Sequence, residues 1–584
     1  MKRAATLLIL ILTLFSCFAA FAADPDLIIH HGKIVTVDGQ FSIQEGMAIE
    51  GNHIALVGRN EEVLRLKGPR TVLLDLKGRM VLPGLMDSHV HPLGAAMTEF
   101  DHPIPEMESI RDVLNYFRSR AKLVKEGEWI VLQQVFITRL REQRYPTRAE
   151  LDRVAPRNPV VFRTGPDASF NTLALKLSGI DQNFKIPAGT PGKIEKNAQG
   201  EPTGILRSFD NYVKTPSSGK EASDEEKTKR LVQLFKDYNS VGLTSVCDRD
   251  GKEEAIALYQ KLRANGELTL RLSVSHHIDT LGPLDEIQAN IRRVAASPLF
   301  IEKDDFLRII GIKTFLDGGM LTGSAYMREP WGVSGIYAIT DPSYRGVLFI
   351  PKERLLPIVR TAVEAGLQFT AHSVGDGAVQ TLLEVYEEIN KDTPIRSTRP
   401  CITHANFQGR ELVDKLPRLG VMVDMQPAWL YLDTRTLVKQ FGYDRLRWFQ
   451  PLKSIFEAGG IAGGGSDHMQ KVGSLRSVNP YNPFLAMATA ITRKAKWYAG
   501  ALHPEEALTR EQAIRFYTLN NAWLLFKEDK LGSLEPGKLA DFVVLDTDLL
   551  ACKVERIPKA KVLRTYVNGK LVFSAPEETR LAGP

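Results

Sequence analysis

The chain has 584 residues, 43% of them hydrophobic and 25% charged, with 45 glycines and 32 prolines. That composition excludes a disordered tail, a coiled coil and a collagen-like fibre. The formal charge of +6 is small, with nearly as many acids as bases, and gives no footing for nucleic-acid binding. At the start, Lys2 and Arg3 precede an uncharged, mostly apolar run, and Ala20-Phe21-Ala22 follows. This pattern predicts a signal peptide over 1–22 and an exported protein, periplasmic or secreted. The alternative is lipid anchoring through Cys17 in Leu14-Phe15-Ser16-Cys17, which the bulk of Phe15 disfavours. The apolar run is too short for a stable membrane span. Cys247, Cys401 and Cys552 make an odd set with no framework spacing, and Cys247 and Cys401, in apolar strand-like runs, read as core thiols.

Residues 23–82 alternate short apolar runs with turn residues such as Asp38-Gly39 and Gly51-Asn52, the texture of an all-β segment. Residues 526–584 repeat it, with an Asn568-Gly569 hairpin signal. Each is too small for a good core alone, so the two ends are expected to pair into one discontinuous β-sandwich domain. Between them, over 83–525, apolar runs at 81–86, 243–246, 270–274, 309–315, 367–371, 401–403, 421–423 and 461–464 alternate with amphipathic helical stretches. Eight such units predict an α/β fold, a (β/α)8 TIM-like barrel. Residues 95–235 break the alternation and read as an insertion after the first strand.

Chemistry-bearing residues fall at the ends of these runs, where barrel active sites are built. His89 and His91 sit two apart in extended chain, so both rings point the same way and form a natural pair of metal ligands. His372, His404 and Asp467 each end a later run. Lys313 lies inside Gly311-Ile312-Lys313-Thr314-Phe315, an odd place for a solvated cation. Carboxylated, it could bridge two divalent ions. Arg163, Asn171, His276 and Gln426 are candidate substrate contacts. His276-His277 as a pair follow an apolar strand; Arg163 and Gln426 end one. Packing or hydrogen-bond scaffolding is the competing role for each.

These residues resemble a known family. The start Val81-Leu82-Pro83-Gly84-Leu85-Met86-Asp87-Ser88-His89-Val90-His91, the late Gly465-Ser466-Asp467 and the ending Leu531-Gly532-Ser533-Leu534-Glu535-Pro536-Gly537-Lys538 are similar to the amidohydrolase superfamily. The particular likeness is to its YtcJ-like, N-substituted formamide deformylase-like branch, amidohydrolase family 3. Gly200-Glu201-Pro202-Thr203-Gly204, His372-Ser373-Val374-Gly375-Asp376 and Thr403-His404-Ala405 follow the branch's order across essentially the whole mature chain. The resemblance implies a metal-dependent hydrolase of non-peptide C–N bonds. Its ligands would be His89, His91, His372, His404 and Asp467, with Lys313 as the carboxylated bridge and Zn2+ as the ion, one or two per chain. Two departures touch the expected substrate pocket. Thr164-Gly165-Pro166 stands where the branch has Asp-Gly-His, and Ser208 stands where it has Glu.

The mechanism so implied has Asp467 orient the water, take its proton and pass one to the leaving amine, while His404 helps hold the oxyanion. A lactonase or esterase, a deaminase, and a catalytically dead exported binding protein are the alternatives on the same scaffold. The expected partners are a small-molecule substrate and a second copy in a homodimer, without nucleic acid. For the leader, N-terminal sequencing of exported material is expected to begin at Ala23; a lipid-modified Cys17 or uncleaved cytoplasmic protein would contradict this reading.

Overall fold

The computed structural model describes residues 24–576, apart from 134, 165–166, 188–189, 191, 210–212, 214–219 and 472–479. The leader 1–22 with Cys17, and Pro166, lie outside the described residues.

Eight apolar runs become eight parallel strands of one sheet, paired in chain order. They are β1 (Leu85–Val90), β2 (Leu243–Gly251), β3 (Arg271–His277), β4 (Leu307–Phe315), β5 (Gln368–Ser373), β6 (Cys401–His404), β7 (Met422–Met425) and β8 (Ala462–Gly464). Their residues are almost all buried, because helices cover the outer face and side chains fill the inner one. The covering helices include Asp224–Ser240, Glu253–Ala264, Leu284–Ala295, Lys352–Glu364, Asp376–Ile389 and Arg410–Leu419. A capping box starts the first of them: Ser223 accepts from the Glu226 backbone and the Glu226 side chain returns the bond. The stripe Leu231, Leu234, Phe235, Tyr238 then joins the barrel core.

The run at 81–86 is not one strand. Met80–Pro83 belongs to a different sheet, pairing antiparallel with Phe542–Leu545, and the first barrel strand begins at Leu85. Gly84 is the junction, where an added Cβ would lie 2.1 Å from Thr244 Oγ1. Two small sheets carry the chain ends. One orders Lys570–Ser574, Val562–Val567, Phe542–Leu545, Met80–Pro83, Lys33–Val35 and Ile43–Gln44; the other His53–Gly58, Gly46–Glu50, Leu27–His30 and Val72–Asp75. Ile29, Ile34, Met47, Val81, Phe542 and Val544 pack between them. The expected (β/α)8 barrel with a β-sandwich built from both ends is therefore present. Between β1 and the helix Asp224–Ser240 the chain forms a five-stranded sheet of its own. That segment shares a core with residues beyond β4 and β7, among them Met320, Trp331, Trp429 and Leu437, and so roofs the barrel mouth.

The barrel closes between β8 and β1 through hydrogen bonds. Asn521 Nδ2 donates to Met86 O at 2.7 Å and to Gly464 O at 2.8 Å. Above them Asp467 N donates to His89 O at 2.7 Å and His91 N to His468 O at 2.9 Å. Gly465 permits this approach, since a Cβ there would meet His89 Cβ at 2.9 Å. Cys247 and Cys401 are buried free thiols, and among the described residues no helix is long and apolar enough to cross a membrane.

At the other end of the barrel, Arg271 on β3 and Asp541 in the β-sandwich form a fully buried two-point ion pair at 2.7 and 2.8 Å. Asp541→Ala would strand the guanidinium, and denaturant unfolding is expected to lose about 3–5 kcal/mol. The double variant Arg271→Met with Asp541→Leu should recover most of it. A loss below about 1 kcal/mol in the single variant would show that the pair does not couple the two domains.

Candidate metal centre at the barrel mouth

His89 and His91 lie at the end of β1, two residues apart, and Asp467 follows β8. The seam between these strands brings the three together. His89 Nε2 and His91 Nε2 are 3.2 Å apart, and Asp467 Oδ1 lies 3.3 Å from the first and 3.1 Å from the second. Three potential ligand atoms thus converge in buried surroundings.

The proton arrangement favours a cation among them. His89 Nδ1 faces Asp424 Oδ2 at 3.1 Å, which leaves Nε2 with its lone pair toward the cluster. His404 Nδ1 donates to Gln426 Oε1 at 2.7 Å, so its Nε2 is likewise bare. Gln426 Nε2 in turn donates to Asp424 Oδ1 at 3.0 Å, and Ser88 Oγ does so at 2.6 Å. A single buried carboxylate on β7 therefore underlies both rings. Arg249 Nε, fully buried beneath, lies 3.5 Å from Asp424 Oδ2 and balances its charge.

Burial holds the His89 and His404 rings well below the ordinary imidazole pKa, and His372 at about 3, with the Lys313 charge adding to the effect. Neutral imidazoles are the form that binds metal. His91 goes the other way: burial opposes its charge, but the hydrogen bond to Asp467 raises it. Burial lowers the Lys313 amine, against the attraction of Asp250, Asp467 and Asp424.

His372 on β5 and His404 on β6 meet at a ring-centre distance of 4.5 Å, and His404 stacks on Trp429 at 4.5 Å. His372 Nε2 lies 3.4 Å from Gly318 O. Lys313 is 1% exposed, with Nζ 4.8 Å from the Phe315 ring centre. Two of these residues hold unfavourable backbone angles: φ is 78° at His404 and 53° at Asp467. The left-handed region costs a residue with a Cβ about 1–3 kcal/mol and is found where surrounding structure over-determines it.

All six residues named from the sequence as ligands (His89, His91, Lys313, His372, His404 and Asp467) line one cavity of about 380 Å³. Phe136, Ser208, Met320, Leu321, Phe349 and Trp429 supply much of the remaining wall. A wider hollow of about 770 Å³ shares His91, Phe136, Phe315 and Met469 with it. The donor set fits a divalent ion: imidazole nitrogens and carboxylate oxygen, buried and oriented from behind. Among the described residues, His30, His31 and Asp75 form one other such group, largely exposed on the β-sandwich.

The four expected substrate contacts lie elsewhere. His276 turns outward, its Nε2 3.1 Å from Glu253 Oε1; its neighbour His277 lines the cavity instead. Asn171 is fully buried and caps the helix Thr172–Leu177, accepting from Ala174 N while donating to Asn158 O. Arg163 sits within Val160–Thr164 opposite Ala168, outside the cavity wall. Gln426 supports His404 from behind. Ser208 does line the cavity, with φ of 48° and its backbone N–H on Asp167 Oδ1 at 2.8 Å. Sequence reading missed Asp424, whose signal was a carboxylate two residues before Gln426 inside an apolar strand. It also missed Asp250, which holds His277.

Comparison with known proteins agrees with this arrangement. The pattern of the amidohydrolase family (Amidohydro_3) matches residues 72–573. The N-substituted formamide deformylase of Arthrobacter pascens is 30% identical over 94% of this chain and 98% of its own. The putative amidohydrolase YtcJ of Bacillus subtilis is 26% identical over 93% and 98%. A crystal structure of an uncharacterized metal-dependent hydrolase from Pyrococcus horikoshii superposes with a TM-score of 0.63 at 21% identity, covering 91% of this chain and 99% of that one. The chain belongs to the amidohydrolase family.

Proposed function

We propose that this protein is a metal-dependent amidohydrolase that cleaves the C–N bond of a small amide, of the N-substituted formamide kind, in an exported compartment. The observation that carries the reading is the convergence of His89 Nε2, His91 Nε2 and Asp467 Oδ1 within 3.3 Å in the wall of the 380 Å³ cavity. The likeness to the Arthrobacter deformylase supports the choice of substrate kind.

His89, His91 and Asp467 would hold one ion. His372 and His404 would hold a second, with carboxylated Lys313 shared between the two, and the nitrogen-rich donor set suits zinc. When bound, a divalent ion supplies Lewis acidity for a carbonyl and for water. The residues do the rest. Asp467, whose carboxylate meets both β1 histidines, is placed to take a proton from the attacking water and return one to the departing amine. Burial lowers the pKa of the Lys313 amine, a shift toward the uncharged form that combines with carbon dioxide. The resulting anion would offset the cost of burying positive charge. Phe136, Leu321, Phe349 and Trp429 exclude water from the reacting face, and Trp429 fixes the His404 ring by stacking on it.

Metal content together with turnover of N-substituted formamides, lactones and aminopurines tests the reading: one to two equivalents of metal and formamide hydrolysis are expected. Metal-loaded protein that acts only on a lactone or an aminopurine would contradict the amide assignment. His89→Ala and His91→Ala should lose both metal and turnover, and full metal occupancy in either would overturn the ligand assignment. Asp424→Asn, which touches His89 only from behind, should weaken metal affinity about 10–100-fold. Lys313→Ala should abolish activity, with partial rescue by a short carboxylic acid plus metal. A Lys313→Met protein that stays metal-loaded and active would reduce the centre to a single ion.

A further inference from the structure

Around the barrel mouth, the proposed ligands come from β1, β4, β5, β6 and the segment after β8. The β2–β3 arc contributes none, and fills its share of the mouth with Asp250 and His277. His277 Nδ1 lies 2.7 Å from Asp250 Oδ1, and both side chains are mostly buried, at 28% and 16% exposure. The pair is anchored next to Lys313, because Ile278 N donates to Lys313 O at 2.9 Å. His277 lines the cavity beside Lys313 and Phe315. A carboxylate only accepts, so the His277 proton sits on Nδ1. In the neutral ring Nε2 is then a bare acceptor. Among the described residues Nε2 has no protein partner.

A secondary amide in its trans form points its N–H away from its C=O. With the carbonyl aimed at the β1 and β8 ligands, the N–H is presented to the remaining arc of the mouth. We infer that His277 is a substrate-binding residue whose Nε2 accepts the N–H of a secondary amide, and that Asp250 is the positioning residue that fixes its tautomer. The substrate class is thereby narrowed to amides that retain an N–H, against tertiary amides and esters, which have none. This inference rests on the amidohydrolase reading.

The test compares N-butylformamide with N-butyl-N-methylformamide on the metal-loaded protein. The wild type should favour the secondary amide at least about tenfold in kcat/KM, since an acceptor left without its donor penalises the analogue. His277→Phe, at matched metal content and unchanged melting temperature, should bring the ratio below about threefold, chiefly by raising KM for the secondary amide. His277→Gln, which keeps an acceptor oxygen, should restore part of the preference. Asp250→Asn should shift the His277 ring 15N resonances away from the Nδ1–H pattern and lower the ratio. Equal rates on both amides in the wild type, an undiminished preference in His277→Phe, or an unchanged 15N pattern in Asp250→Asn would overturn the inference while leaving the hydrolase reading standing. Turnover of neither amide would overturn both.

Discussion

The site depends on the seam where the last barrel strand meets the first. His91 and Asp467 stand far apart in sequence, yet their side chains meet at 3.1 Å because Asp467 N bonds His89 O and His91 N bonds His468 O. Asn521 holds the same seam lower down by donating to Met86 O and Gly464 O. A register slip of one residue here would turn His89 and His91 to the other face. The closing bonds therefore set the fold and the ligand geometry at once, and the left-handed backbone at Asp467 is the local strain of that arrangement.

Directly below the ligands lies a buried polar layer whose charges are matched, with Cys247, Cys401 and Met422 in an apolar cluster beside it. Asp424 receives Ser88 and Gln426, faces His89, and lies near Arg249. Arg249 also donates to Ser88 O, Ser275 Oγ and Gln368 Oε1. Buried charges persist where partners replace water. One result is a set of imidazoles kept neutral by desolvation, with His89 facing Asp424 and His404 bonded to Gln426 at their far nitrogens. On the opposite arc, Asp250 and His277 repeat the same carboxylate–imidazole pairing without joining the ligand group. The same pairing of ring and carboxylate thus recurs on both sides of the mouth, at the candidate metal site and in the opposite cavity wall.

The eight strands were legible in the sequence because parallel strands buried on both faces read as unbroken apolar runs. The candidate ligands were marked in the same way, His89, His91, His372, His404 and Asp467 by their places at the ends of such runs and Lys313 by its place inside one. The boundary at Gly84 was less so, since Met80–Pro83 and Leu85–Val90 form one apolar stretch that the fold divides between two sheets. The choice between His276 and His277 lay in the alternation along β3: Leu272 and Val274 pack into the core with the covering helices and His276 follows on their side, whereas Ser275, which meets the buried Arg249, and His277 share the inner one. Arg163 was singled out because it ends an apolar run and Asn171 because it stands in a stretch similar to the family's pocket segment, but both belong to the roof sheet and its edge, where Asn171 serves as a helix cap. Interactions spanning hundreds of residues, such as Ser88 with Asp424, have no local signature.

The central claim is that the converging donors at the barrel mouth bind divalent cations. Anomalous diffraction from crystals grown with zinc, collected on both sides of the zinc absorption edge, tests it most directly. The account predicts a peak within coordination reach of His89 Nε2, His91 Nε2 and Asp467 Oδ1, with a second beside His372, His404 and Lys313. A map with no peak at the barrel mouth, or with its strongest peak at His30, His31 and Asp75, would contradict it.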